Sequence, residues 1–458
     1  MKRALLTLSS MAALSACNMA PHYVRPAPPV PAGFPSGPAY APVVATEKPG
    51  LPWTALVTDP RLRTVIERAL ANNRDLRAAL ANVEAARAQY QVQRAAQLPA
   101  VTGEAAATLS RRNDDRQNSY SADIGFSAFE IDLFGRVKNL TRSALESYLA
   151  TEEGARATRI TLIAETATAY ATLAADQELL VLSRQTLTSA ERTLALVQSL
   201  NGAGLTGKLD VHQAETTVEQ ARSDIAANVT QVAQDRNALD LLAGAPVEDA
   251  LLPPSLEALT GGIAKTPAGL SSDVLLQRPD VLQAEHQLKA ANADIGAARA
   301  AMFPKISLTA AIGVASSALS SLFTNGGFAW SAAPSASMPV FGGGARGNLD
   351  YSKAQRDISL AQYERAIQTA FQEVSDALAR EGTIDDQQAA QQRLVLASQR
   401  SYALADERYR AGIDTFLNSL TSQRSLYNAR QSAIATNLTL IRNRILLYRV
   451  IGADFAGG

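Results

Sequence analysis

The chain has 458 residues, with 43 Lys and Arg balanced by 43 Asp and Glu, so neither a basic face for nucleic acid nor an acidic tail is implied. Three histidines (His22, His212 and His286) and one cysteine exclude an intrachain disulfide and leave almost no material for a metal site. Aromatic residues make up only 5%, low for an enzyme core.

Residues 1–16 read as a secretory signal: Lys2 and Arg3 precede an apolar run from Ala4 to Ala16, shorter than the about 20 residues that span a bilayer. Residues 17–52 form a Pro/Ala/Gly-rich tether, extended because proline fixes φ and removes donors. Helical periodicity runs over 53–98, with Leu62, Val65, Ile66 and Ala69 on one face, and Pro99 ends it. Two strands are predicted next, over 101–110 and 120–130, with a charged tip at 111–118 between them. In the first, Val101, Ala105, Ala107 and Leu109 oppose Thr102, Glu104, Thr108 and Ser110. In the second, Ala122, Ile124, Phe126 and Ala128 oppose Ser121, Asp123, Gly125 and Ser127. Residues 137–200 lack proline and predict a helix of about 96 Å. A Gly-rich turn at 201–207 sends the chain back as a second helix over 208–242.

The same plan is then written again. Asp75 and Pro99 match Asp280 and Pro304 at an offset of 205, Phe134-Gly135 matches Phe341-Gly342 at 207, and Gly204 and Gly244 match Gly412 and Gly452 at 208. The expected organisation is a first repeat over 53–243, a connector over 244–278, a second repeat over 279–452 and a tail over 453–458. In the second repeat, Ile306, Leu308, Ala310, Ile312 and Val314 form one strand face, and Phe328, Trp330, Ala332, Ala336 and Met338 another. A long helix over 348–410 carries the seam Leu360, Tyr363, Ile367, Phe371, Val374 and Leu378, and 415–450 returns. Glycine at Gly135, Gly342 and Gly343 suits a bend from strand to helix, and no GK[ST] follows to make a phosphate loop.

The fold class expected is mainly α with membrane β: duplicated helical hairpins plus four strands, each with one apolar and one polar face. An open four-stranded sheet in lipid leaves unsatisfied backbone groups at its edges, so other copies must close it. Two copies would give eight strands and three would give twelve; sequence physics does not choose.

Leu14-Ser15-Ala16-Cys17 resembles the bacterial lipobox, and Asn18 in place of Asp implies sorting to the outer membrane. Together with Pro21-His22-Tyr23-Val24-Arg25-Pro26, Asp132-Leu133-Phe134-Gly135-Arg136, Arg278-Pro279-Asp280-Val281 and Pro339-Val340-Phe341-Gly342-Gly343, it makes the chain resemble the lipoprotein branch of the TolC family of outer-membrane efflux factors. The resemblance implies a homotrimer with a twelve-stranded barrel and a helical tunnel with a closable tip. It also implies contact with outer-membrane lipid, a periplasmic adaptor and an inner-membrane transporter, a passive role with no cofactor, and acylation at Cys17. Asp210, Tyr409 and Leu417 align with the family's periplasmic gate, whereas Thr421 stands where the branch commonly has Asp. The alternative is a periplasmic adaptor lipoprotein, but adaptors carry one hairpin flanked by β-rich segments rather than two separated by strand pairs. A hydrolytic enzyme would need a nucleophile–base pair, and none is visible. His212 and His286 sit isolated on Gln/Ala-rich stretches and read as exposed or tunnel-lining polar residues.

Overall fold

A computed structural model describes residues 18–40, 52–112, 115–265, 272–324, 327–341 and 343–452. The chain divides into two compact units that cut across the repeats: Met1–Pro28 with Leu80–Gly154 and Leu282–Ala366, and Pro29–Ala79 with Ala155–Val281 and Ile367–Gly458.

The first unit is built on one sheet. Strands β1 (Thr102–Arg112), β2 (Asp115–Glu130), β3 (Lys305–Ser316) and β4 (Gly327–Ser337) lie in the order β1-β2-β3-β4, all antiparallel. The central β2·β3 seam joins the two repeats, and β1 and β4 are both edges. Register puts like with like. Ala105, Ala122 and Val314 share one face with Ile124, Ile312 and Trp330, while Glu104, Asp123, Ser307 and Ser335 share the other. The apolar face is bare: Ile124, Ile312, Phe328 and Trp330 are all more than half exposed. A globular protein would cover such a face; lipid is the solvent that suits it.

Two sequence expectations change here. The charged tip is itself strand, because Leu109↔Asn118, Ser110↔Gln117 and Arg111↔Arg116 continue the ladder. The apolar alternation of β2 also breaks before Ala128. A bulge lies between Phe126, opposite Ala310, and Phe129, opposite Leu308, and Ala128 takes φ +52. One extra residue moves Phe129, not Ala128, onto the face of Phe126, and the two rings meet edge to face at 6.1 Å.

The helix expected over 53–98 is three helices, α1 (Trp53–Leu56), α2 (Pro60–Asn72) and α3 (Arg74–Ala95). Asp59 caps α2 by accepting from the Leu62 amide at 2.8 Å, with Pro60 at the first position. Asn73 does the same for α3, accepting from the amides of Asp75 and Leu76 at 2.9 and 3.0 Å. Its amide also donates to the Leu242 carbonyl at 3.1 Å, which fixes the break in place.

The long helices form as read: α4 (Arg136–Gly202) and α5 (Lys208–Ala243) in the first repeat, α8 (Ala345–Arg410) and α9 (Phe416–Ile451) in the second. Between them lie α6 (Leu256–Gly262) and α7 (Pro279–Ala300). The buried stripe of α8 in the second unit is Ile367, Ala370, Val374, Ala377, Glu381 and Ile384, in steps of three and four. Phe371 leaves that stripe and stacks on Phe34 of the tether at 5.2 Å. The buried Arg278 of the Arg-Pro-Asp-Val motif donates to the Val450 carbonyl at 2.7 Å and to Asp280 and Glu373 at 2.7 and 2.8 Å. It thereby ties the connector to the middle of α8 and the end of α9. No helix among the described residues is long and apolar enough to cross a membrane.

Candidate functional site

The two hairpin turns are built alike at an offset of 208. After α4, Gly204 is left-handed at φ +72, and the amides of Gly204 and Leu205 bond back to Asn201 and Leu200, each at 2.9 Å. After α8, Gly412 is left-handed at φ +70, and the amides of Gly412 and Ile413 bond back to Tyr409 and Arg408, each at 2.9 Å. These are Schellman closures, for which a residue lacking Cβ is favoured.

Each following helix is then stapled at its third residue. Thr206 donates its hydroxyl to Asp210, and Asn418 donates its amide to Asp414 at 2.6 Å. Positions 206 and 414 correspond, as do 210 and 418, so donor and acceptor have been exchanged between the repeats. Asp414 is held below the usual carboxylate range, chiefly by the Asn418 bond and then by the Thr415 amide.

Tyr409 packs beside Phe416 at 5.4 Å, within a cluster of Val197, Ala214, Phe416 and Leu420 that Leu194 and Val211 flank. Its hydroxyl is buried without a hydrogen-bond partner among the described residues. Burial, and then the charges of Asp210 and Asp406, push its ionisation up. Tyr409 and Asp210 therefore share the tip electrostatically, but Asp210 is engaged by Thr206 and no direct bond joins them. Leu417 turns away from the cluster and is 55% exposed, as is its counterpart Leu209 at 68%. Leu205 and Ile413 are likewise exposed at the two turns. The Thr421 hydroxyl donates to the Leu417 carbonyl of its own helix, at 2.8 Å.

Farther from the turns, Tyr427 joins the hairpins by donating to Asp224 at 2.7 Å, and Asn228 donates to Ser183 within the first hairpin at 2.9 Å. No sequence period singles these residues out; they are polar interruptions in an apolar seam.

At the strand-to-helix bend, Gly135 and Gly343 take φ +77 and +79, and Gly344 takes +67. Gly342 lies outside the described residues. Phe134 stacks on Phe303 at 4.8 Å, and Glu130 at the end of β2 pairs with Arg136 and Lys305.

Cys17 also lies outside the described residues, but the segment after it is docked in register along α7. Asn292 donates to the Pro21 carbonyl at 2.8 Å and Arg299 to that of Met19 at 3.2 Å. A Cβ on Gly296 would stand 2.7 Å from Ala20, so glycine makes room for the tether. Arg25 grips both oxygens of Glu285, at 3.0 and 2.6 Å, Tyr23 donates to the same carboxylate at 3.1 Å, and Lys289 lies over the Tyr23 ring. Burial opposes ionisation of Glu285, yet the Arg25 and Lys289 bonds outweigh it and hold the carboxyl below its ordinary value. The sequence signal for this dock was present in Tyr23 and Arg25, the side chains with polar handles in an otherwise Pro-rich stretch.

The histidines are not isolated. His286 pairs with buried Glu146 at 2.7 Å and His212 with Glu215 at 2.8 Å. Neither belongs to a group that could hold a metal among the described residues.

The outer membrane efflux protein profile matches residues 65–245 and again residues 270–453, so one family signature is met twice at the spacing of the repeats. The chain belongs to the outer membrane efflux protein family. The probable efflux pump outer membrane protein TtgC of Pseudomonas putida is 45% identical over 99% of this chain and 96% of its own. The solvent efflux pump outer membrane protein SrpC of Pseudomonas putida is 42% identical over 100% and 99%. Among solved structures, a membrane protein from Pseudomonas aeruginosa superposes with a TM-score of 0.89 at 40% identity, covering 95% of this chain and 100% of that one. The open state of the Neisseria gonorrhoeae MtrE outer membrane channel gives 0.87 at 35% identity, over 96% and 98%. The efflux family accounts for the mainly helical fold, the membrane-type strands and an outer-membrane location.

Proposed function

We propose that this efflux protein is a passive trimeric conduit from periplasm to exterior, the outer-membrane component of a tripartite pump. The observation that carries the reading is the sheet: an apolar face open to lipid, a polar face opposite, and two unpaired edges. Strands of about 11 residues tilted by about 45° match the bilayer's apolar thickness. Closure by three copies yields twelve strands and a lumen wide enough for solutes. The polar face suits that lumen because Gly125 and Gly313 lie on it, opposite Ala311 and Asp123, where an added Cβ would collide with the neighbouring strand.

The hairpin turns form the periplasmic end, with Asp210, Tyr409 and Leu417 at the gate and the exposed apolar residues Leu205 and Ile413 offered to a periplasmic adaptor. An inner-membrane transporter supplies the energy. Cys17 carries the acyl anchor, and the α7 dock holds residue 19 beside Arg299, close to where β3 begins at Lys305. Relatives named for solvent and antibiotic efflux favour small apolar compounds as cargo. The test is expression in an efflux-deficient strain with a matched adaptor and transporter: solvent and drug tolerance should return only when this chain is present, and no restoration with any pairing refutes the assignment.

A further inference from the structure

We propose that the β4 edge of one copy closes on the β1 edge of the next in a single register, pairing Ala336 with Gly103, Ala332 with Ala107 and Trp330 with Leu109 of the neighbouring copy. This rests on the trimeric-channel reading and goes beyond it, because closure alone leaves the register free.

The register is written inside the chain. The β2·β3 seam joins the second strand of one repeat to the first strand of the other, and the missing β4·β1 seam joins the same two kinds of strand. Phe129 sits opposite Leu308 and Ile124 opposite Ile312. Counterparts in β3 and β1 are 205 apart, so Leu308 corresponds to Gly103 and Ile312 to Ala107. Counterparts in β2 and β4 are 207 apart next to the Phe134/Phe341 motif, which takes Phe129 to Ala336. Beyond the bulge the spacing becomes 208, because β4 has no bulge, and Ile124 then corresponds to Ala332. The two halves of the translation agree: stepping from Ala336 to Ala332 moves the partner from Gly103 to Ala107 without a slip. Every pair also falls on the apolar face, and a slip by one residue would turn that face into the lumen.

A second contact supports the same seam. In the first repeat Phe134 is covered by Phe303 of the second. The counterpart of Phe134 is Phe341, wholly exposed, and the counterpart of Phe303 is Leu98, 70% exposed. These two bare apolar side chains belong to the same contact, made between copies. The outer seam carries Ser337 and Ala100 where the inner one has Glu130 and Lys305, so backbone pairing and apolar packing hold it rather than an ion pair.

The test is oxidative cross-linking of cysteine pairs in isolated outer membranes, with natural Cys17 retained and single variants as blanks. Directly opposed residues lie about 4.5–5.5 Å apart, within disulfide reach, whereas a shift of two residues places them about 7–8 Å apart, beyond it. Ala332→Cys with Ala107→Cys, and independently Ala336→Cys with Gly103→Cys, should move the chain from monomer to covalent dimer and higher bands on boiled gels. Ala332→Cys with Leu109→Cys, or with Ala105→Cys, should not. Intact trimers on unboiled gels that cross-link only through a shifted pair, or through none, overturn the register. Monomers in the wild type and in every variant overturn the channel reading itself.

Discussion

Thr206 bonds to Asp210 across the first hairpin turn where Asn418 bonds to Asp414 across the second, so one staple serves both tips with its polarity reversed. Asp210 lies in the first turn of α5, where a carboxylate also meets the positive end of the helix. Asp210→Ala removes both effects, at about 1 kcal/mol per chain. We expect larger single-channel conductance from Asp210→Ala, and a further rise on adding Leu417→Ala, with the trimer retained on unboiled gels.

Tyr409→Phe separates packing from gating. Its hydroxyl is buried without a partner among the described residues, so deleting it removes a desolvation cost and keeps the ring on Phe416. Thermal unfolding should be unchanged or raised by up to about 1 kcal/mol. A marked loss of stability would mean that the hydroxyl is bonded in the assembled protein.

The tether dock should be sensitive to acid. Glu285 has a depressed pKa, so its bridge to Arg25 contributes stability above the ordinary carboxylate value of about 4.3 and loses it as pH falls through the lower folded value. Arg25 is half exposed, which limits the contribution to about 1 kcal/mol. Protection of residues 18–28 from proteolysis should therefore hold from about pH 8 to about pH 5 and weaken about fivefold as pH falls through the lowered folded value. Glu285→Gln should speed cleavage about fivefold at neutral pH.

Asp176 titrates the other way. Burial, and then its hydrogen bond with Asp235 and the Asp235 charge, raise its pKa to about 7. A raised carboxyl pKa costs folding stability above that value, and the cost disappears as pH falls toward the unfolded value of about 3.9. Asp176→Asn should then stabilise the protein by about 1–2 kcal/mol at pH 8 and by little at pH 5, with the pair's partial exposure already discounted. Equal effects at both pH values would show that the two carboxyls do not share a proton.

At the bulge, Ala128 holds a left-handed conformation that costs a residue with Cβ about 1–2 kcal/mol. Ala128→Gly should raise the heat-dissociation midpoint of the barrel, whereas Ala128→Val should lower it.

Duplication and strand faces were legible because they rest on period and offset, which side-chain chemistry writes directly into the chain. The long helices were legible through the absence of proline and the scarcity of glycine. What escaped was local. Asn73 ends one helix and starts the next with a single side chain, and Ala128 carries a bulge that an alanine does not announce. Arg111 and Arg116 look like loop and are strand, since a sheet that runs beyond the apolar band can carry charge there. At the gate, the positions Asp210, Tyr409 and Leu417 could be picked out by alignment, but Thr206 as the partner of Asp210 depends on turn geometry.

The most direct measurement is conductance of the purified wild-type trimer in planar bilayers, alongside Asp210→Ala. A passive gated conduit predicts discrete conductance steps without nucleotide or added energy source, larger in the variant than in the wild type. Trimeric preparations of both that insert into the bilayer and pass no current would contradict it.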